Sequence, residues 1–230
     1  MKYYLTVILL LISVVLYSQP AKQAPNLPGH DNRPFNFGFL LGLNTMNYYT
    51  IHADRDGVPR RFADVMGLNP GLNIGMVTNF RVNKYLSLRI LPGITFGQRD
   101  LLFIDNDGVV DKYPIELKST YIESPLLIKF NGERMLNAKP YFIGGINVRY
   151  DLAKSKRDGM LINPLDVYWE IGAGIDSYLS YFRLGTELKF SVGMFNILNP
   201  KGTGDHDDIY YTKVLEKLFS RVLVLTFYFE

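Results

Sequence analysis

The chain has 230 residues, 47% of them hydrophobic and 20% charged, and a formal charge of +3. It contains no Cys, which excludes a disulfide scaffold and a Cys-ligated metal site, and its apolar content excludes a disordered tail protein. The small positive charge is spread along the chain, so no nucleic-acid partner is expected; such binders cluster their basic residues on one face.

At the start, Lys2 precedes a nearly continuous apolar run from Leu5 to Leu16, and Ser18 supplies a small residue for a cut before Gln19. Residues 1–18 therefore read as a secretory signal peptide, the run being shorter than the roughly 20 apolar residues of a membrane-spanning helix. Residues 19–34 carry Pro20, Pro25, Pro28 and Pro34 among few apolar side chains and are expected to form an extended, Pro-rich periplasmic N-terminal tail. Residues 35–230 form the expected barrel domain.

From Phe35 onward the chain alternates with period two, the signature of strands with one apolar face. Phe35, Phe37, Phe39, Leu41 and Leu43 share a face against Asn36, Gly38, Gly42 and Asn44, and Leu72, Ile74, Met76 and Phe80 stand against Gly71, Asn73, Gly75 and Asn79. Six further segments follow, from Leu86 to Phe96, Ile122 to Phe130, Phe142 to Tyr150, Trp169 to Leu179, Phe182 to Val192 and Leu223 to Phe229. Short turns at 82–84, 131–132 and near Ser180 alternate with long connections at 47–67, 99–116, 153–165 and 194–219. The expected fold is all-β: an eight-stranded antiparallel up-and-down transmembrane β-barrel of outer-membrane type, with both barrel termini periplasmic.

Aromatic placement assigns the faces. The apolar face carries Phe35, Phe37, Phe80, Phe130, Phe142, Phe182, Phe227 and Phe229 at one set of strand ends and Phe96, Tyr150, Trp169 and Phe190 at the other. Two aromatic rings around an aliphatic band predict a surface facing outer-membrane lipid. The opposite face is rich in Gly and Asn and carries Arg89, Lys129, Arg149, Arg183 and Lys189 against Glu123, Asp151, Glu170, Asp176 and Glu187. Inside an eight-stranded barrel these must pair, so a structural ion-pair network is expected in a lumen too narrow for a diffusion pore. Acid–base work by Glu123 and Glu170 is the chemical alternative.

No catalytic, cofactor-binding or metal-binding residues are expected. His30, His52 and His206 have no nucleophile at a recognised spacing. Asp205-His206-Asp207-Asp208 reads as a solvated acidic loop, and Asp105-Asn106-Asp107-Gly108 as a turn whose Gly comes too early for a calcium loop. Residues 212–219 have the spacing of one or two helical turns, a candidate docking element.

A set of stretches adds a family likeness: Leu27-Pro28 with Asp31 and Arg33-Pro34 before Phe37-Gly38-Phe39, Leu86-Ser87-Leu88-Arg89, Tyr121-Ile122-Glu123-Ser124-Pro125-Leu126-Leu127-Ile128-Lys129, Tyr150-Asp151-Leu152-Ala153, Glu170-Ile171-Gly172-Ala173-Gly174-Ile175-Asp176 and Gly185-Thr186-Glu187-Leu188-Lys189. Together they resemble the PorT/SprT family of the Bacteroidetes type IX secretion and gliding-motility system. The Glu-x-Pro-Leu-Leu-x-Lys core alone is shared by a broader group of small Bacteroidetes outer-membrane barrels. The resemblance implies a non-enzymatic outer-membrane component needed for cargo export and, in gliding members, motility, with other secretion-system proteins as partners. It brings no catalytic residue. The alternatives are a general adhesin or structural barrel, an outer-membrane enzyme, and a soluble ligand-binding barrel with its apolar face inward.

Overall fold

The structure, a computed structural model, describes residues 25–52, 62–65, 69–104, 115–152, 163–197 and 215–230, with backbone alone for 48–52, 62–65, 99–104, 115–117 and 215–217. Ten strand segments form one sheet: β1 (Phe35–His52), β2 (Phe62–Val65), β3 (Pro70–Arg81), β4 (Leu86–Ile90), β5 (Gly93–Ile104), β6 (Ile115–Asn131), β7 (Ala138–Asp151), β8 (Leu165–Tyr178), β9 (Arg183–Gly193) and β10 (Leu215–Phe229). Strand β1 pairs antiparallel with both β10 and β3, which closes the sheet.

The ten segments make eight staves. β4 and β5 are one stave: Thr78↔Ile90 and Leu72↔Phe96 belong to a single register along β3. The ladder is interrupted at Leu91-Pro92 because Pro92 has no N–H to donate, although its carbonyl still accepts from Met76 N at 2.9 Å. β2 lies beyond β3 and pairs with β5 two residues out of the β3–β5 register. The fold is thus a closed, eight-stranded antiparallel barrel.

Three short turns and both ends of the described barrel share one rim, the near rim. The β3–β4 turn is fixed by Asn83, whose Oδ1 accepts from Tyr85 N and Leu86 N at 2.8 Å each. At the far rim the strands run further than the periodicity suggests, β1 to His52 and β5 to Ile104, and β10 begins at Leu215. Leu215–Phe219 is therefore strand, a correction to the expected helical turns, and buried Leu218 points inward with Ser220 and Val222.

A second difference concerns the tail. Its described part, residues 25–34, is not extended but folds across the near rim through a 3-10 turn at His30–Asn32, entered by Gly29 at φ 86°, a conformation that suits Gly. Asp31 accepts from Tyr178 Oη at 2.6 Å, Lys139 Nζ at 3.1 Å and Arg134 Nη1 at 3.3 Å. Asn26 N donates to Asn137 Oδ1 at 2.8 Å, and Arg134 also bonds the Asn26 carbonyl. The Arg134 guanidinium lies 3.7 Å over the Tyr178 ring. These contacts form a clasp.

Candidate functional site

The barrel interior is where the inward residues of all eight staves converge. On each strand, period-two geometry sends alternate side chains to opposite faces, and the inward set is buried while the outward set is exposed. Glycine makes room for large inward side chains: a Cβ at Gly174 would lie 2.5 Å from the Tyr141 ring, and one at Gly97 would lie 2.5 Å from Met46 Sδ.

Towards the far rim, Arg149 bridges two carboxylates, with Nε 2.7 Å from Glu123 Oε2 and Nη2 3.1 Å from Glu170 Oε1. Lys189 Nζ lies 2.8 Å from Glu170 Oε2. Uncharged groups complete the cluster: Asn147 Nδ2 donates to Glu123 at 2.9 Å and to Glu170 at 2.8 Å, Thr95 Oγ1 to Glu123 at 2.6 Å, and Ser191 Oγ to Glu170 at 2.9 Å. The Arg149 guanidinium lies 4.3 Å from the Tyr168 ring centroid.

Towards the near rim, Arg89 is 3.1 Å from Glu187 and 3.4 Å from Glu230, and lies 4.5 Å from the Tyr228 ring centroid. Arg183 pairs with Glu230 and, at 3.6 Å, with Asp176, which also takes Lys129 Nζ at 2.6 Å. Tyr228 Oη donates to Glu187 at 2.7 Å. Between the layers lies an apolar plate that includes Leu40, Val77, Leu91, Leu127 and Ile143. The void against Asn73, Glu123, Lys189 and Tyr228 holds about 10 Å³, room for no more than about one water. The lumen is packed, and its charges are spent on one another.

All ten inward charges read from the sequence are buried here: ion pairs join Arg89, Lys129 and Arg183 to Glu187 and Asp176 in one cluster and Arg149 and Lys189 to Glu123 and Glu170 in the other, and Asp151 is buried at the far-rim end of β7. Three charges escaped that reading: Glu230, Asp166 and Lys139. Parity would have found all three, since Glu230 continues the inward series Thr226, Tyr228, Asp166 precedes Tyr168 and Glu170 in the same phase, and Lys139 precedes Tyr141 and Ile143 in theirs. The motif residues Glu123, Pro125, Leu127 and Lys129 all face inward on β6, so this one strand threads far cluster, plate and near cluster.

The outer face is apolar around the circumference. Met76, Phe142 and Ile171 are each about two-thirds exposed, as are Phe37 and Met135. Phe35, Phe80, Phe130 and Phe182 are exposed at near-rim strand ends, Phe227 and Phe229 half-buried beside them, and Phe96, Tyr150, Trp169 and Phe190 exposed further up. Neighbouring rings touch: Phe35 and Phe80 at 4.9 Å, Phe39 and Phe229 at 4.9 Å. So continuous an apolar surface is a membrane-facing one, which removes the soluble barrel with an inward apolar face.

The outer membrane protein beta-barrel domain family matches residues 17–199 of this chain. The chain belongs to that family. Family and fold place the protein in the outer membrane as a β-barrel. No curated protein matches it. Among solved structures it is similar to the outer membrane protein OprG of Pseudomonas aeruginosa, at 12% identity and a TM-score of 0.41, covering 85% of this chain and 90% of OprG. It is also similar to Ail, the attachment invasion locus protein of Yersinia pestis, at 12% identity and a TM-score of 0.35, covering 84% of this chain and 96% of Ail.

Of the remaining sequence candidates, residues 1–24, Asp105–Gly108 and Asp205–Asp208 lie outside the described residues, and for His52 only the backbone is described. Among the described residues no group of three or more His, Asp and Glu gathers in a metal-holding arrangement.

Proposed function

We propose that this barrel is a non-enzymatic component of the type IX protein secretion system, needed for export of cargo proteins across the outer membrane and, in gliding organisms, for motility. The observation that carries the reading is the set of PorT/SprT-like stretches, above all Glu123-Ser124-Pro125-Leu126-Leu127-Ile128-Lys129 and Glu170-Ile171-Gly172-Ala173-Gly174-Ile175-Asp176. The packed lumen supports an anchor in preference to a conduit: an eight-stranded barrel filled by ion pairs has no path for cargo. The aromatic residues act as two girdles at the headgroup levels, the near rim faces the periplasm, and partners from the secretion machinery dock on the connections beyond the far rim or on the periplasmic side.

Deletion of the gene, followed by complementation with the full chain or with a chain lacking residues 198–214, tests this. The null strain is expected to retain cargo inside the cell. The shortened barrel is expected to insert, shown by heat-modifiable gel mobility, yet to restore export poorly. Normal cargo export by the null strain would defeat the secretion role and leave the adhesin or structural barrel as the better reading.

A further inference from the structure

At the near rim β10 stops at Phe229 while β1 continues down to Phe35, and the β8–β9 turn stands on the other side of β9. A notch of about 200 Å³ remains beneath the end of β10, lined by His30, Arg33, Tyr181 and Phe182, with Leu27 and Pro28 of the clasp as its apolar side. Several of its groups have no role in holding the barrel together. Arg33 is exposed, and its side chain makes no ion pair or hydrogen bond among the described residues. His30 is only 9% exposed, and its Nδ1 has no hydrogen-bond partner. Burial first, and then the charges of Arg183 and Arg33, lower the pKa of this imidazole, so at neutral pH it adds no charge to the notch. Tyr181 at the tip of the turn is 93% exposed.

The charges around the notch favour an anion. Glu230, the carboxylate in its lining, is already held by Arg89 and Arg183, and Asp31 is held by Arg134, Lys139 and Tyr178. Arg33 is left as the uncommitted cation. The position favours a lipid over an acidic protein segment: Phe182 belongs to the lipid-facing wall, its ring 6.1 Å from that of Phe229, which stacks in turn on Phe39. A cation at the foot of an aromatic, hydrocarbon-facing wall sits where a phosphate headgroup and its acyl chains meet.

We infer that this notch binds the phosphate of a phospholipid headgroup, with Arg33 as the pairing cation, the imidazole of His30 as part of its lining, and the acyl chains lying up the wall of Phe39, Phe229 and Phe182. The site rests on the reading that the near rim faces the periplasmic, phospholipid leaflet. It does not rest on the secretion role.

The test is native mass spectrometry of the mature barrel in micelles with dioleoyl phosphatidylglycerol or phosphatidylethanolamine added. The wild-type barrel is expected to retain one phospholipid. Arg33→Gln should weaken retention about tenfold or more, as loss of a charge-assisted phosphate contact implies. Arg33→Lys should keep part of it, and Arg81→Gln, which removes a partly exposed cation elsewhere on the same rim, should keep all of it. Heat-modifiable mobility confirms that each variant is folded. Equal retention by wild type and Arg33→Gln would overturn the proposal, as would displacement of the lipid by inorganic phosphate at equal concentration, which marks a free-phosphate site, or by an acidic peptide, which marks a protein-docking site. Export by the null strain is a separate readout: normal export without the barrel, together with lipid retention by the wild-type barrel that Arg33→Gln loses, refutes the secretion role and leaves the site standing.

Discussion

Near the rim that carries the chain ends, the interior sets Arg89, Lys129 and Arg183 against Asp176, Glu187 and Glu230, whereas in the far half a single guanidinium, Arg149, joins Glu123 to Glu170. In the near cluster every carboxylate meets two donors: Lys129 and Arg183 for Asp176, Arg89 and Tyr228 for Glu187, Arg89 and Arg183 for Glu230. In the far cluster Lys189 adds one contact, and neutral Asn, Thr and Ser groups supply the rest. Distributed pairing tolerates the loss of a member, while concentrated pairing does not. A buried ion pair adds little net stability over an apolar isostere, yet removing one partner leaves an uncompensated charge.

The comparison is therefore broken or upheld first at Arg149. Arg149→Met takes the ion-pair partner from buried Glu123 and leaves Glu170 with Lys189 alone, and is expected to destabilise the barrel by about 3–5 kcal/mol, read as a shift of the urea midpoint in micelles. Both clusters also depend on hydrocarbon outside the wall. Ile171→Arg, placed in the aliphatic band beside Glu170, is expected to cost about 2–4 kcal/mol, and Phe142→Arg, at a near-rim strand end, about 0–1 kcal/mol. Equal costs in the same urea assay would show that Phe142 does not stand at a headgroup level. Arg183→Met comes next, at about 1–3 kcal/mol, because Glu230 keeps Arg89 and Asp176 keeps Lys129. A larger loss at Arg183 than at Arg149 would reverse the assignment of distributed and concentrated pairing.

What was legible in the sequence follows from where the solvent changes. Between the aromatic rings one face meets lipid and the other meets the lumen, so period two is forced on Leu72, Ile74 and Met76 and on Glu187 and Lys189 alike, and the staves can be read directly. At the far rim β1 continues to His52 and β10 begins at Leu215, and the sequences of these two ends do not alternate. Leu215 and Leu218 have helical spacing, but the buried inward series Leu218, Ser220, Val222 belongs to a strand. Glu230 follows the last outward aromatic, Phe229, and continues the inward phase of Thr226 and Tyr228 by one residue. The clasp had no local signal at all. Asp31 finds its partners more than 100 residues away, at Arg134, Lys139 and Tyr178, and nothing in a short Pro-rich stretch announces contacts at such separation.

That clasp supplies the smallest and sharpest prediction, because it covers the near cluster and has no described counterpart over the far one. Burial on its own would raise the Asp31 carboxyl, but the hydrogen bonds from Tyr178, Lys139 and Arg134 outweigh it and hold the pKa at about 2, below the ordinary 3.8. A carboxyl depressed in the folded state stabilises above its unfolded pKa, and that contribution is lost as pH falls through the folded value. The clasp is therefore expected to be firm from neutral pH down to about 4 and to loosen between about 4 and 2. Its partial exposure keeps the contribution near 1 kcal/mol. Amide exchange at His30, Asn32 and Arg33, whose N–H groups donate within the clasp turn, reads the opening directly. In the wild-type barrel exchange corrected for its intrinsic pH dependence should rise across this window. In Asp31→Asn it should start higher and stay flat. Parallel curves for the two proteins would mean that the clasp is held by Asn26 and the Arg134–Tyr178 stack, and that the near cluster is sealed without help from the Asp31 charge.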